Sequence, residues 1–209
     1  MTNKDRMLKG KLYCADDPDL TFETKSIRGM LEEFNSTSFR DGRRRGFILK
    51  QIFKKTGKAI HIEPPFFCDY GYNISVGENF YADYDCIFVD ANLITIGNNC
   101  IIGPRVTILT ESVPVDASVR NDELEFAKPI TIGNDVFIGS GAIINPGVTI
   151  GDDIIIGSGS VVTRNLTSHA IYAGNPAKKI RDITDKERKV WKDQQTEYYT
   201  DSDVSQQES

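Results

Sequence analysis

The chain has 209 residues, of which 39% are hydrophobic; this is enough for one sizeable core and argues against a second full domain. Its formal net charge of −5 at pH 7 excludes nucleic acid and anionic membranes as expected partners. The four cysteines lack a CxxC spacing, no apolar run approaches ~18 residues, and Lys4, Asp5 and Arg6 interrupt any signal peptide, so we expect a cytoplasmic protein with reduced thiols.

Residues 1–57 are predicted to form a helical region. One amphipathic helix ends at Asn35, and its apolar residues lie at helical spacing: Ile27, Met30, Leu31 and Phe34. A second apolar stripe stops before Gly57 and consists of Phe47, Ile48, Ile52 and Phe53. Arg43–Arg45 precede this stripe, and a solvated first turn is favoured there over a phosphate site.

Aromatic and acidic residues mark the next part of the chain. Four aromatics within seven residues are predicted to plug the open end of the following element: Phe66, Phe67, Tyr70 and Tyr72. Asp83, Asp85 and Asp90 occur within strand-forming sequence, where side chains alternate between two faces. These carboxylates predict a polar cleft.

The stretch from Ile132 to Val162 repeats a unit of six residues. Its large β-branched positions are Ile132, Ile138, Ile144, Ile150, Ile156 and Val162. Such residues favour extended backbone, and the glycine that often follows them permits a turn. One unit cannot bury its own apolar face, so successive units must wind into coils stacked about 4.8 Å apart. We therefore predict an all-β solenoid over residues 58–182.

The repeat fails between residues 108 and 129, although Ile96-Gly97 and Ile102-Gly103 continue it upstream. A gap of that length in a regular coil predicts a loop that is extruded from the solenoid, where such folds often have function.

Residues 183–209 are predicted to form a C-terminal helix, from about Thr184 to Tyr199, and a disordered tail, Asp201–Ser209. Lys178, Lys179 and Arg181 precede the helix. These cations form either a surface face or a binding site for a phosphorylated ligand.

Several segments resemble the hexapeptide-repeat sugar O-acetyltransferases, the family of maltose, galactoside and nodulation-factor acetyltransferases. The matching segments are Met7–Tyr13, Asp17–Leu20, Glu63–Phe66, Asn79–Ala82, Ile144–Gly151 and Ala173–Pro176. The resemblance implies a left-handed parallel β-helix with N-terminal helices and a C-terminal helix. It also implies a homotrimer that transfers the acetyl group of acetyl-CoA to a sugar hydroxyl, without a metal.

The resemblance also assigns site residues by position. Phe137, Ser140, Ser158 and Thr163 would lie along the CoA arm, and Lys178 and Arg181 would lie near the CoA phosphates, which require cations. Asp17, Asp69 and Asp83 would bind the acceptor sugar, meeting the donor residues of a neighbouring subunit in a trimer.

The extruded loop departs from the family at the catalytic position. The family reads Thr-x-x-His-Pro-x-Asp-x-x-x-Arg, and this chain matches it at Thr110, Pro114, Asp116 and Arg120, but has Val113 in place of the histidine. That histidine is the family's general base, and valine has no lone pair to accept a proton. A second departure is Asp83, where the galactoside enzyme has asparagine.

Other residues of the chain could supply the base. His61 and His169 lie outside the loop. Asp83 and Glu111 are carboxylates, which are poor bases for an alcohol unless burial raises their pKa.

Two functions therefore remain open from the sequence. One is an O-acetyltransferase with impaired or altered chemistry. The other is a non-catalytic trimeric paralogue that binds CoA or sugar, or serves as a scaffold.

Overall fold

The computed structural model describes residues 1–38 and 40–207. Its helices are α1 (Asn3–Leu8), α2 (Pro18–Asn35), α3 (Gly42–Ile52), α4 (Ala117–Asn121) and α5 (Asp185–Gln207). Its strands are β1 (Tyr13–Cys14), β2 (Ile60–Ile62), β3 (Phe66–Cys68), β4 (Ile74–Val76), β5 (Phe80–Ala82), β6 (Cys86–Val89), β7 (Ile94–Ile96), β8 (Ile101–Ile102), β9 (Thr107–Leu109), β10 (Glu111–Ser112), β11 (Leu124–Ala127), β12 (Ile130–Ile132), β13 (Phe137–Ile138), β14 (Ile143–Ile144), β15 (Thr149–Ile150), β16 (Ile154–Ile156), β17 (Val161–Val162), β18 (Ala170–Ala173) and β19 (Lys178–Asp182).

The solenoid is built from three sheets that run along its length. They contain four, seven and five strands, in the orders β15-β12-β7-β4, β19-β18-β16-β13-β8-β5-β2 and β17-β14-β9-β6-β3. Every pairing among them is parallel except β18 with β19. The predicted β-solenoid with helices at both ends is confirmed.

The core confirms the six-residue repeat. The large positions from Ile132 to Val162 are at most 1% exposed, and Val136, Ala142 and Ser160 fill the small inward positions. Asparagine or aspartate occupies several of the turns with positive φ, such as Asn99 and Asp153, where these side chains are tolerated better than most.

The N-terminal helices cover the first coil. Buried side chains of α2 and α3 join the same core as Phe66. The predicted stripe of the second helix is partly wrong, because Phe47 is 63% exposed and Leu49 is fully buried. The aromatic plug is also partly wrong, because Phe67 lies on the outer surface and Tyr70 belongs to a separate core cluster.

The prediction of a solvated arginine turn is wrong for Arg45. Its side chain is 5% exposed, and Nη1 donates to Oε2 of Glu63 at 2.7 Å. Nε and Nη2 donate to the Thr37 hydroxyl and the Ser38 carbonyl at 3.1 Å each. A buried guanidinium needs such partners, so Arg45 joins α3 to the α2–α3 loop and to Glu63 between β2 and β3.

The C-terminal helix extends farther than its sequence suggests, to Gln207. A capping box at Thr184 and Glu187 begins it, and Arg188 forms an ion pair with Asp153 of the solenoid. Residues 208–209 of the predicted disordered tail lie outside the described part of the chain. Among residues 1–38 and 40–207, no helix has the length and apolarity needed to cross a membrane.

Candidate active site

The loop that interrupts the repeat forms a small sheet with the N-terminal segment. It begins at Thr110, since Ile108 and Leu109 belong to strand β9. Strand β11 pairs antiparallel with β10 on one side and with β1 on the other, with Tyr13 opposite Glu125. The small sheet thus places Tyr13 and Glu125, which are 112 residues apart in sequence, side by side.

Three of the four matching positions of the loop motif, Thr110, Asp116 and Arg120, hold the backbone through side-chain hydrogen bonds. The Thr110 hydroxyl, fully buried, donates to the Val89 carbonyl at 2.7 Å. Asp116 caps α4 by accepting from the amides of Ser118 and Val119. Arg120 donates to the carbonyls of Pro114 and Val115 at 2.8 and 2.9 Å. These contacts fix the loop without using the side chain of residue 113.

Val113 lies at the surface of this loop. Its side chain is 52% exposed, and it follows β10 directly. Because the Val113 side chain is not packed into the core, it can contact a ligand or a second subunit. Its assignment as the catalytic position stays a prediction.

A cavity of about 350 Å³ lies between the small sheet, α2 and the turn after β3. It is lined by Tyr13, Ala15, Asp16, Thr21, Thr24, Lys25, Arg28, Asp69, Tyr70, Glu111 and Glu125. Carboxylates, hydroxyls and cations that converge on one cavity are the groups that hydrogen-bond a polyol. This cavity is the candidate acceptor site.

The carboxylates of the cavity differ in their partners. Glu125 accepts a hydrogen bond from the Tyr13 hydroxyl at 3.1 Å. Burial raises the pKa of Asp69, although the Arg28 guanidinium opposes the shift. Burial, together with the negative charges of Glu125 and Asp69, raises the pKa of Glu111 to about 7. Glu111 is therefore partly protonated near neutral pH.

Asp90 does not line the cavity, but it holds the backbone of two residues that do, Asp69 and Tyr70. Its side chain is fully buried, and Oδ1 accepts from the amides of Asp69 and Tyr70 at 3.0 and 2.9 Å. Burial raises the pKa of Asp90 to about 6 despite these bonds. The sequence-based polar cleft is wrong for this residue, which fixes the turn that presents Asp69.

The three predicted acceptor residues do not converge within one chain. Asp69 lines the cavity. Asp17 caps α2 through the amides of Asp19 and Leu20 and accepts from Asn3 at 2.8 Å, and it borders a different cavity. Asp83 follows β5 and accepts from the Tyr84 amide at 2.9 Å. The acceptor roles of all three stay predictions.

Sequence analysis did not assign Tyr13, Arg28 or Glu125 to the acceptor site. Tyr13 and Glu125 are registered opposite each other only because β1 pairs with β11, and a two-residue strand has no periodicity to detect. The one signal in the sequence was Glu111, a carboxylate within the extruded loop.

The two histidines lie away from this cavity. His61 Nε2 lies 2.7 Å from Oε1 of Glu63, and its ring stacks on Tyr81. His169 Nδ1 lies 2.8 Å from Oδ2 of Asp153. Both are exposed side chains on the solenoid, and neither lines the cavity in the described residues.

The predicted donor residues fall partly on one row of the seven-stranded sheet. Phe137 is registered beside Ile155, Ile155 beside Ile171, and Ile171 beside Arg181. At about 4.8 Å per strand, the backbones of Phe137 and Arg181 lie about 14 Å apart. Arg181 forms an ion pair of 2.5 Å with Glu187 of α5.

Ser140 and Ser158 lie at equivalent turns of successive coils and are exposed. The coils approach closely there, and a Cβ on Gly139 would lie 2.6 Å from the Ser158 amide nitrogen. Thr163 and Lys178 are also exposed. The assignment of these residues to the donor is a prediction that the structure leaves untested.

Comparisons with known proteins match both regions of this fold. Residues 6–57 match the maltose acetyltransferase hexapeptide capping motif, and residues 129–164 match the bacterial transferase hexapeptide (six repeats). A protein of Dictyostelium discoideum, named as a candidate acetyltransferase, is 50% identical over 88% of this chain and 95% of its own.

Two solved structures share the architecture. A maltose O-acetyltransferase from Clostridium difficile has a TM-score of 0.87 and 45% identity, over 88% of this chain and 99% of its own. A galactoside acetyltransferase in complex with coenzyme A has a TM-score of 0.87 and 37% identity, over 90% and 94%. The resemblance is confirmed, and the chain belongs to the maltose and galactoside O-acetyltransferase family of hexapeptide-repeat acetyltransferases.

Proposed function

We propose that this protein transfers the acetyl group of acetyl-CoA to a hydroxyl of a sugar and works as a homotrimer. The single observation on which the proposal rests is the cavity between the small sheet and α2, in which Tyr13, Asp69, Glu111 and Glu125 present hydroxyl and carboxylate groups. It lies beside the loop whose motif the family uses for catalysis. The feature that favours a non-catalytic role is Val113 at the position of the family's histidine.

The donor proposal is supported by the row from Phe137 to Arg181. The galactoside acetyltransferase that is similar over 90% of this chain binds coenzyme A. In this chain, Phe137, Ile155 and Ile171 offer apolar contact to a pantetheine arm, and Arg181 with Lys178 offers cations to phosphates. Arg181 must then exchange or share its ion pair with Glu187.

The trimer proposal is supported by apolar side chains on the outside of two sheets. Ile101, Phe137 and Ile155 are 40–47% exposed in one row of the seven-stranded sheet, and Phe67 and Ile87 are 40–47% exposed in the five-stranded sheet. The outward row of the third sheet is polar, with Ser75, Thr95, Thr131 and Thr149. Two different apolar faces form a heterologous contact, which closes into a ring when the rotation allows.

The test is an assay of thiol release from acetyl-CoA with a panel of neutral mono- and disaccharides. We expect acceptor-dependent release of CoA thiol and a product that gains one acetyl group by mass spectrometry. Acetyl-CoA binding without transfer to any sugar would contradict the enzymatic proposal and favour a binding protein. Light scattering should give three times the 23.4 kDa of one chain.

A further inference from the structure

Glu111 is a carboxylate of the candidate acceptor cavity whose oxygens form no hydrogen bond or ion pair within the described residues. Glu125 is held by Tyr13, and Asp69 faces the Arg28 guanidinium. Glu111 has no hydrogen-bond donor in the part of the chain that the structure describes, and its side chain is half-buried against the cavity. Its oxygens are therefore free to accept a hydrogen bond from an acceptor hydroxyl.

Glu111 also lies close in sequence to the position at which the family has its base. It starts β10, is registered opposite Ala127, and precedes Val113 by two residues. Residues two apart in extended backbone share a face, and β10 ends at Ser112, one residue before Val113. A four-atom glutamate side chain at 111 can thus serve the region that an imidazole at 113 would serve, on a loop that Thr110 and Arg120 hold in place.

The surroundings of Glu111 suit a base that works near neutral pH. The other titratable side chains that line the cavity come from every element packed around it. They are Tyr13, Asp16, Lys25, Arg28, Asp69, Tyr70 and Glu125. The pKa of Glu111 rises to about 7 through burial first and then through Glu125 and Asp69. An ordinary glutamate near pKa 4.3 is too weak a base, whereas a pKa near the working pH is optimal.

We propose that Glu111 is the catalytic base of this acetyltransferase and takes the place of the missing histidine. This inference rests on the O-acetyltransferase function proposed above. The Glu111 carboxylate takes the proton of the sugar hydroxyl as that oxygen forms a bond to the thioester carbonyl carbon. The tetrahedral intermediate collapses, the carbon–sulfur bond breaks, and the proton passes from Glu111 to the departing thiolate. Sugar and acetyl-CoA thereby become acetyl sugar and CoA thiol.

The test compares Glu111→Gln with Glu123→Gln, an exposed glutamate of the same loop. Gln keeps the shape of the side chain and cannot accept the proton. We expect Glu111→Gln to lower kcat by about 10²–10⁴ with little change in the acetyl-CoA KM, and Glu123→Gln to retain the wild-type rate. In the wild type, kcat/KM should fall as pH drops below about 7, and this limb should vanish in Glu111→Gln.

Two rescue measurements separate a catalytic role from a structural one. Formate should raise kcat of Glu111→Ala at least tenfold, because a small carboxylate fits the space that the side chain leaves. Val113→His should raise the rate of Glu111→Gln more than tenfold and that of the wild type by less. Equal rates and pH profiles for wild type and Glu111→Gln would overturn the base assignment alone. A wild type that binds acetyl-CoA and acetylates no sugar would overturn the proposed function and the base role with it.

Discussion

Replacing Asp90 with Asn should have an effect on stability that changes with pH. The Asp90 carboxylate is fully buried, with Oδ1 accepting from Asp69 and Tyr70 and Oδ2 accepting from the Asn73 amide at 3.4 Å. An asparagine can keep the first two bonds. Its amide nitrogen would then face the Asn73 N–H, donor against donor. This loss should cost about 1–3 kcal/mol of unfolding free energy.

An opposing contribution arises from the charge of Asp90. Burial raises its pKa from 3.8 to about 6, so the folded state binds the proton more tightly than the unfolded state does. The stability of the wild type is therefore favoured below pH 4 and falls as pH rises through about 6. Two pKa units correspond to about 3 kcal/mol. Asparagine does not ionise, so Asp90→Asn does not lose this stability as pH rises.

We expect Asp90→Asn to be less stable than the wild type at pH 4 and as stable or more stable above pH 7. Urea unfolding at fixed protein concentration, at one-unit steps from pH 4 to 8, measures this difference. Asp193→Asn on the exposed face of α5 is the matched control and should show no trend. A deficit for Asp90→Asn that stays constant from pH 4 to 7 would refute the reasoning.

Arg45→Met should lower the unfolding free energy by about 2–4 kcal/mol, since it leaves Glu63 without its buried partner. Arg44→Met removes an exposed ion pair and should cost under about 1 kcal/mol. Equal costs for the two variants in urea unfolding would contradict this prediction. Replacing Lys178 and Arg181 together with Ala should weaken coenzyme A binding at least about tenfold by calorimetry, and the Lys186 and Lys189 double variant should bind normally. Ile101→Glu should reduce the mass measured by light scattering, and Thr131→Glu on the polar face should not; an unchanged mass for Ile101→Glu would remove that row from the interface.

The solenoid could be predicted from the sequence because its signal is local and repeated. Each coil needs a β-branched residue every six positions, and Ile138, Ile144 and Ile150 meet this requirement without reference to distant residues. The buried faces of the N-terminal helices were harder to predict. Helical periodicity shows that one face is apolar, but which residues are buried depends on the surface against which the helix packs. The buried stripe of α3 runs through Arg45, Ile48, Leu49 and Ile52, so Phe47 is left outside.

The acceptor cavity could not be predicted in the same way, because its walls join distant segments through short strands. Burial of Glu111 depends on β1 crossing to β11, and neither two-residue β1 nor two-residue β10 has a pattern. The sequence identified Glu111 as a carboxylate that would need burial to act as a base. Only the fold supplies that burial, together with the charges of Glu125 and Asp69.

A glutamate base changes more than the identity of the proton acceptor. Histidine goes from neutral to cationic as it takes a proton, whereas Glu111 goes from anionic to neutral. The cavity holds four carboxylates, Asp16, Asp69, Glu111 and Glu125, against the two cations Lys25 and Arg28. Proton transfer to Glu111 relieves the repulsion among these carboxylates at the step where negative charge moves to the thioester oxygen. The same excess of negative charge disfavours an acidic sugar in the ground state, so this site should prefer neutral acceptors, and a uronic acid should react more slowly than the corresponding neutral hexose.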